Sequence, residues 1–514
     1  MWEFDLSLPH MRKAIIAIWF VGVCIAFLFR CGSKEEPNKY QAIHNPKAEY
    51  VGMQTCQQCH ASIYESFMKT GMGQSWGLAN RQKSAADFST AKALVYDSVK
   101  DFYYRPYWEG DSLCIYEYRL LGKDTVHRRK EKVSYIVGSG QHTNSHIINI
   151  NGYLHQAPIT FYTQKGRWDL APGFEKGLSS RFDRKIEMEC ITCHNGYPEF
   201  VAGSINKYKQ IQLGIDCERC HGPGSLHVAA KQKGDIIDTA KAIDYTIVNP
   251  KKLSTEKQNN LCQRCHLQGI AVLNDGKQFT DFMPSDDLQS TMNVFMPLYS
   301  GSDKHMIMAS HVERMKMSAC YINSGKMSCI TCHNPHVSVK YTPQQHFISV
   351  CKDCHNQQND CKDLPRVRAA QQDNCITCHM PKNGSIDIPH VAVTDHFIRR
   401  RPLAETKKEL VRFLGLKCYN NPNPDARTRA RAYLEFYERY EPKSIFLDSA
   451  RYYLQEAGVD TTAGTDGDWL RTLFLREDYV GIVQRTQQTE AKDIKNAWTA
   501  YRVGEAYSKQ AQWA

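Results

Sequence analysis

The pentapeptide Cys-x-x-Cys-His occurs seven times in this chain, and this repetition constrains the fold more than any other feature. Two thiols at positions i and i+3 of a helix lie one turn apart, and a histidine at i+4 lies on the same side. This arrangement bonds both vinyl groups of a porphyrin and ligates its iron, so each copy predicts a covalently attached haem c. The predicted attachment cysteines are Cys56, Cys59, Cys190, Cys193, Cys217, Cys220, Cys262, Cys265, Cys329, Cys332, Cys351, Cys354, Cys375 and Cys378. The predicted proximal iron ligands are His60, His194, His221, His266, His333, His355 and His379.

Two other metal sites use paired cysteines, and the pattern argues against both. A zinc ribbon needs two Cys-x-x-Cys pairs for each metal and has no use for a histidine directly after every second cysteine. An iron–sulfur cluster needs four thiolates and does not require that histidine. Seven repeats of the complete pentapeptide therefore favour seven haems c.

The formal charge of +11 suggests nucleic-acid or membrane binding until the haems are counted. Two propionates outweigh the single positive charge of a bis-ligated ferric porphyrin, so each haem contributes about −1. Seven haems bring the oxidised protein to about +4 and the fully reduced protein to about −3. The basic residues balance propionates, and no nucleic-acid partner is predicted.

The N-terminus predicts export. Residues 14–29 are a continuous apolar run preceded by Arg12 and Lys13, and Cys31 follows directly after Arg30. The length of the run fits the core of a signal peptide and is short for a spanning helix. A lipoprotein acylated at Cys31, an uncleaved anchor and a soluble secreted form all remain open, and each places the folded part outside the cytoplasm. In that oxidising environment Cys320 and Cys361 are candidates for a disulfide.

We predict a mainly α fold with sparse regular structure around a multihaem core. Residues 1–31 form the signal or anchor segment, residues 32–49 a tether, and residues 50–400 the haem domain. Between about 95 and 165 aromatic and β-branched residues alternate with polar ones, which predicts a β-rich insert.

Residues 401–514 carry no haem motif and predict a helical tail. The expected helices are 404–414, 425–440, 443–457, 468–486 and 490–510. The last segment, with Ala500, Val503, Gly504 and Tyr507, fits the first helix of a tetratricopeptide repeat.

The function of each haem depends on the far side of its iron, because a second side chain there leaves only electron transfer, whereas an open face permits chemistry. Candidates for distal ligands come from the remaining histidines and one methionine near the first motif. They are His227, His311, His396, His142, His146, His336, His390 and Met72. We expect His336 to serve a neighbouring haem, because it follows His333 too closely to reach the far side of its own.

Residues 50–396 resemble multihaem c-type cytochromes related to the tetrahaem cytochrome of hydroxylamine oxidation, in the branch with a tetratricopeptide tail. The residues that carry this resemblance are Tyr50-Val51-Gly52, Trp168–Gly173, Cys217-Glu-x-Cys-His-Gly-Pro-Gly224, Ser318-x-Cys320, His333-Asn-Pro-His336, His379-Met-Pro-Lys382 and Thr394-Asp-His396. The resemblance implies an exported electron-transfer protein with closely stacked haems and mostly bis-histidine ligation.

Two functional hypotheses follow. The first is an exported heptahaem carrier, periplasmic or at the cell surface, that moves electrons from a membrane-associated donor to an acceptor, with redox partners docking on the helical tail. The alternative is an oxidoreductase acting on a small nitrogen or sulfur compound at one five-coordinate haem. Related reductases often mark a catalytic haem with Cys-x-x-Cys-Lys, which does not occur in this sequence.

Overall fold

The structure is a computed structural model that describes residues 39–177, 181–300, 310–355, 361–385, 387–400, 412–460 and 464–511. Its strands are β1 (Trp76–Leu78), β2 (Val95–Asp97), β3 (Phe102–Glu109), β4 (Ser112–Leu121), β5 (Asp124–Lys132), β6 (Tyr135–Val137), β7 (Thr143–Ile150), β8 (Tyr153–Tyr162), β9 (Arg167–Leu170), β10 (Arg184–Lys185), β11 (Glu199–Phe200), β12 (Tyr208–Gln210), β13 (Ile270–Leu273), β14 (Met292–Tyr299), β15 (Lys382–Gly384), β16 (Ala392–Thr394) and β17 (Phe413–Cys418). Its helices up to residue 400 are α1 (Met53–Gln57), α2 (Ala61–Phe67), α3 (Met188–His194), α4 (Glu218–His221), α5 (Ser225–Gln232), α6 (Thr255–His266), α7 (His311–Lys316), α8 (Ala319–Ser324), α9 (Cys329–Cys332), α10 (Gln344–Lys352), α11 (Pro365–Ala370) and α12 (Cys375–His379). The remaining helices are α13 (Ala426–Arg439), α14 (Ser444–Glu456), α15 (Gly467–Leu475), α16 (Tyr479–Thr486) and α17 (Ala497–Lys509).

The prediction of a mainly α fold is wrong. Within the described residues the strands form five antiparallel sheets, of six, four, three, two and two strands. Several of these strands lie between haem motifs as apolar runs of only a few residues. Short apolar runs do not distinguish a strand from a turn of buried helix, which is why periodicity missed them.

The β-rich region is larger than the predicted insert, since its strands run from Trp76 to Lys185. One sheet has the order β2-β3-β4-β5, and the other has the order β1-β6-β7-β8-β10 with β9 also paired to β8. Buried side chains of both sheets, among them Tyr104, Ile115 and Ile159, form one hydrophobic core. The two sheets therefore pack face to face as a sandwich.

The predicted tether is partly folded. Residues 1–38, which include the apolar run and Cys31, lie outside the described residues. From residue 39 the chain packs on the haem region, where Tyr40 and Ile43 are buried against Val248. Among the described residues, none of the helices combines the length and apolarity needed to cross a bilayer.

The C-terminal region is joined to the haem region by a shared sheet and core. Residues 404–411 of the first predicted helix lie outside the described residues, but Phe413–Cys418 form strand β17 rather than helix and pair with β14. Helices α13 and α14 pack on this sheet, where Phe436 and Phe446 contact Phe295 in one buried cluster. The segment predicted as one helix over 468–486 is divided into α15 and α16, because the chain turns at Glu477, whose φ is +59°.

Candidate haem-binding sites

Each of the seven motifs lies on a short helix or at the end of one, as the i, i+3, i+4 spacing requires. In α1 and α4 the amide of the motif histidine donates to the carbonyl of the first cysteine, with His60 N to Cys56 O at 2.9 Å and His221 N to Cys217 O at 3.1 Å. One helical turn therefore places both thiols and the imidazole of each motif on one side.

Polar caps start several of these helices just before the motif. The side chains of Ser254, Ser328 and Asn374 accept hydrogen bonds at the starts of α6, α9 and α12. Such caps satisfy amides that a helix N-terminus leaves without a partner. At these three helices the local sequence thus helps to fix where the helix begins.

The thiols of different motifs contact each other in pairs. Cys56 lies near Cys217, and Cys193 lies near Cys265. The neighbouring thiol lowers the pKa of Cys56 in the first pair and lowers the pKa of Cys265 to about 6 in the second. The first motif therefore lies beside the third, and the second beside the fourth.

The same kind of contact continues through the later motifs. Cys262 lies near Cys329, and Cys351 lies near Cys375. Cys375 and Cys332 both raise the pKa of Cys351, after the larger effect of burial. Together with the electrostatic influence of Cys220 on Cys262, these pairs place each motif near at least one other, with the second motif beside the fourth.

Three proximal histidines face a second histidine at nearly equal distances. The ring centres of His221 and His336 are 6.0 Å apart, and those of His266 and His311 are 5.9 Å apart. The ring centres of His333 and His396 are 6.1 Å apart. Each pair joins the proximal histidine of one motif to a histidine from another segment of the chain.

This separation fits two imidazoles on opposite sides of one haem iron. With an iron–nitrogen bond of about 2 Å and about 1.1 Å from nitrogen to ring centre, two axial imidazoles have centres roughly 6 Å apart. The residues present therefore fit bis-histidine haem at the third, fourth and fifth motifs. The distal rings of His311 and His396 also stack on each other with centres 4.6 Å apart, so the fourth and fifth sites are in contact.

The predicted ligand His227 lies on α5. Burial lowers its pKa, and Lys231 and His60 act in the same direction, whereas Asp244 acts against them. The Nδ1 atom of His227 lies 3.0 Å from Thr246 Oγ1 and 3.3 Å from Asp244 Oδ2. The other ring nitrogen of His227 is thereby oriented away from these partners.

Burial keeps most of these imidazoles neutral, which is the form that binds a metal. It lowers the pKa of His194, His221 and His333 to about 4 and that of His311 to about 2. Neighbouring histidines act in the same direction but less strongly.

Backbone carbonyls hold several rings by Nδ1. His221 Nδ1 lies 2.7 Å from Val248 O, and His379 Nδ1 lies 2.6 Å from Arg399 O. His396 Nδ1 lies 3.0 Å from Thr394 O. A hydrogen bond from Nδ1–H to a carbonyl fixes the tautomer that presents Nε2 to a metal.

A buried ion pair holds the segments of His311 and His396 together. Arg314 and Asp395 are both 0% exposed, and two hydrogen bonds of 2.9 and 2.7 Å join them. Burial alone would raise the pKa of Asp395, but hydrogen bonds and charge from Arg314 outweigh it and lower this pKa. Arg399 and Asn383 also bond to this carboxylate.

The remaining predicted ligands have other surroundings. His146 is 0% exposed in the β-sandwich core, stacks on Trp168 and shares Nδ1 with Ile159 O at 3.2 Å. His390 Nε2 lies 2.9 Å from Asp169 Oδ2.

His142 Nδ1 lies 2.9 Å from Gln164 Nε2, and the charge of His142 is among the weaker influences on His311. Met72 is half-buried, and its backbone carbonyl accepts a hydrogen bond from the amide of Ile215 at 3.1 Å.

The disulfide suggested between Cys320 and Cys361 is not formed in the part of the chain that the structure describes. Cys320 lies near motif thiols instead, since Cys354 contributes to its raised pKa after burial. The motifs of the fifth and sixth haems therefore surround this cysteine, and Cys361 is exposed.

Sequence reasoning did not single out three features of this region. They are the buried Glu218 inside the third motif, the Arg314–Asp395 pair, and His346, whose Nε2 lies 3.1 Å from Cys332 O. The position of Glu218 between two motif cysteines and of Asp395 beside His396 was visible in the sequence, but their partners lie far away along the chain. Among the described residues, no group of three or more His, Cys, Asp and Glu side chains is arranged to hold a metal ion.

Comparison with known proteins gives three similarities. The family model described as cytochrome c554 and c-prime matches residues 172–222, which include the second and third motifs. The multiheme cytochrome MtrA of Shewanella baltica (strain OS185) is 26% identical over 232 residues, or 43% of this chain. The aligned part spans 61% of that relative. The crystal structure of the outer cell wall cytochrome OcwA aligns with 90% of this chain and 99% of its own at 13% identity and a TM-score of 0.41.

Proposed function

We propose that the chain is a multihaem cytochrome that binds seven haems c and carries electrons between a donor and an acceptor outside the cytoplasm. Each haem supplies an iron that cycles between the ferric and ferrous states. The chain's own residues attach the porphyrins, ligate the irons and keep the imidazoles neutral. The observation that carries the proposal is the ring separation of 5.9 to 6.1 Å between a motif histidine and a second histidine at three motifs.

The histidine pairs favour transfer over catalysis. An iron with imidazoles on both sides has no open position for a substrate and changes only its oxidation state. The ring separations of 5.9 to 6.1 Å at three motifs support such ligation in this chain. The absence of Cys-x-x-Cys-Lys from the sequence points the same way.

The location and partners belong to the same proposal. The apolar run at 14–29 and Cys31 support export and membrane attachment as a lipoprotein at the periplasmic or cell-surface side. The C-terminal helices supply a surface for a redox partner. Arg439 of α13 pairs with Glu189 of the second motif helix at 2.9 Å, so this surface adjoins a haem motif. We also propose that the chain is related to the tetrahaem cytochrome of hydroxylamine oxidation and that its C-terminal helices form a tetratricopeptide-like tail.

A coulometric titration of the mature protein tests it. We expect seven reducing equivalents per chain, complete reoxidation, and a mass increase of seven haems. Fewer equivalents would contradict the haem count. A high-spin ferric signal that shifts with nitrite, hydroxylamine or cyanide would instead favour reaction at an open haem.

Two paired variants test the path between haems. Replacing Cys262 and Cys265 by alanine removes the fourth haem, at which the thiol contacts branch, and replacing Cys190 and Cys193 removes the second haem at a branch tip. Each variant loses one equivalent. Only loss of the fourth haem is expected to divide the remaining haems into separate groups. In that variant alone, the time course of reoxidation after rapid mixing with an oxidant should therefore have two phases. Equal kinetics in both variants would contradict the proposed path.

A further inference from the structure

Glu218, the residue after the first cysteine of the third motif, has a carboxylate bound by backbone amides from two other segments. The side chain is 2% exposed. Oε1 accepts from Val51 N at 2.9 Å and from Gly224 N at 2.8 Å. Oε2 accepts from Gly52 N at 2.8 Å and from Val51 N at 3.1 Å. A buried carboxylate is stable only when such donors replace its water.

The three amides lie directly before helices that carry haem ligands. Val51 and Gly52 precede α1, which holds Cys56 and leads to His60. Gly224 precedes α5, which holds His227. One carboxylate from the third motif therefore bonds the start of the first motif helix and the start of the helix that holds His227.

Two glycines allow this close approach. Gly52 has a φ of +77°, which side chains other than glycine rarely adopt. A Cβ atom at Gly224 would lie 3.2 Å from Glu218 Oε1 and 3.1 Å from Val51 Cγ2. Cys56 and Cys217 lie near each other beside this junction.

We propose that Glu218 is a positioning residue for electron transfer, which fixes the first motif helix α1 and the helix α5 relative to the third motif. This inference rests on the proposed function, because it assumes haems at both motifs. Glu218 touches neither iron, and it acts through the backbone at residues 51, 52 and 224. Loss of its contacts lets α1 and α5 shift against the third motif.

The test compares E218Q and E218D by electron paramagnetic resonance of the oxidised, fully loaded protein. Signals of the first and third haems are identified as those missing after C56A/C59A and C217A/C220A. The amide of E218Q turns an N–H group towards backbone N–H groups, and the aspartate of E218D keeps the charge but is one methylene shorter. We expect both variants to shift the g values of these two haems and to leave the other five unchanged.

The matched control is E189Q. Glu189 also adjoins a motif cysteine, but it pairs with the side chain of Arg439 and bonds no backbone of another motif in the described structure. E189Q is therefore expected to leave the signals of the first and third haems unchanged. If E218Q alone shifts them and E218D does not, the effect is one of charge and the positioning role is refuted.

G224A tests the same contact with Glu218 intact, so the inference stays testable if the Glu218 variants lose haem during folding. The added Cβ presses on Oε1, and the same two signals are expected to shift. Unchanged signals in G224A and E218D would overturn the inference. The proposed function is tested separately, by the number of electrons that the protein takes up and releases. Seven reversible reducing equivalents support the proposed function whether or not the resonance signals shift. Shifted signals of the first and third haems support the positioning role even if fewer than seven equivalents are found.

Discussion

Replacing His336 by alanine is the sharpest test of the ligand pairs. The rings of His221 and His336 are 6.0 Å apart and nearly parallel, with 10° between their planes. If both bind one iron, H336A leaves that iron with a single imidazole and converts it from low spin to high spin. With seven predicted haems, the high-spin signal should account for about one seventh of the ferric iron.

Electron paramagnetic resonance at neutral pH measures this fraction directly, and added imidazole should restore the low-spin state. His390→Ala is the matched control, because the His390 imidazole lies on Asp169 at 2.9 Å and not on a motif histidine. H311A and H396A should each convert one iron, and the double variant two. High-spin iron in H390A, or none in H336A, would refute the reasoning from ring separation.

Asp395→Asn leaves Arg314 buried without its charge partner and should lower the free energy of unfolding by about 3–5 kcal/mol. Guanidinium denaturation followed at the haem absorbance measures this change. The control E441Q, at an exposed ion pair, should lower it by less than about 1 kcal/mol. Because the pKa of Asp395 is lowered in the folded protein, its contribution is present above its ordinary pKa and is lost as the pH falls through the lowered value. Burial lowers the pKa of His146 to about 4, so the unfolded chain binds a proton first on acidification, and the sandwich should lose roughly 3 kcal/mol between pH 6.5 and 4. Amide hydrogen exchange of β7 and β8, corrected for the intrinsic effect of pH on exchange rates, measures the free energy of opening of these strands. This free energy should fall between pH 6.5 and 4 in the native protein and should not change with pH in His146→Phe.

Local features of the fold were predictable from the sequence. The helices expected at 425–440 and 443–457 are found as Ala426–Arg439 and Ser444–Glu456, because their apolar residues recur with helical spacing. The hairpin at Phe102–Leu121 follows equally directly from alternation around a turn.

Long-range pairing was not predictable in this way. The helix expected at 404–414 extends over the first two residues of strand β17, because Phe413-Leu-Gly-Leu is too short for its period to be distinguished, and pairing with β14 makes this segment a strand. The sandwich likewise extends to Lys185 because residues distant in sequence complete the sheet.

The candidate sites divide along the same line. Each pentapeptide is local, so the attachment cysteines and proximal histidines follow from spacing alone, and they stay predictions. The pairing of His311 with the fourth motif and of His396 with the fifth depends on how separate segments cross, and no periodicity encodes it. Glu218 escaped notice for the same reason, since its partners are 166 and 167 residues away along the chain.

The pairing of β17 with β14 has a practical consequence for truncation. A shortened protein ending before residue 412 would lose β17 and expose the hydrogen-bonding groups of β14 as a new sheet edge. The same deletion removes Phe436 and Phe446 from around Phe295, leaving apolar surface open to water. Expression of the haem-bearing part alone should therefore yield aggregates, and a soluble fragment requires the chain to continue at least through α14.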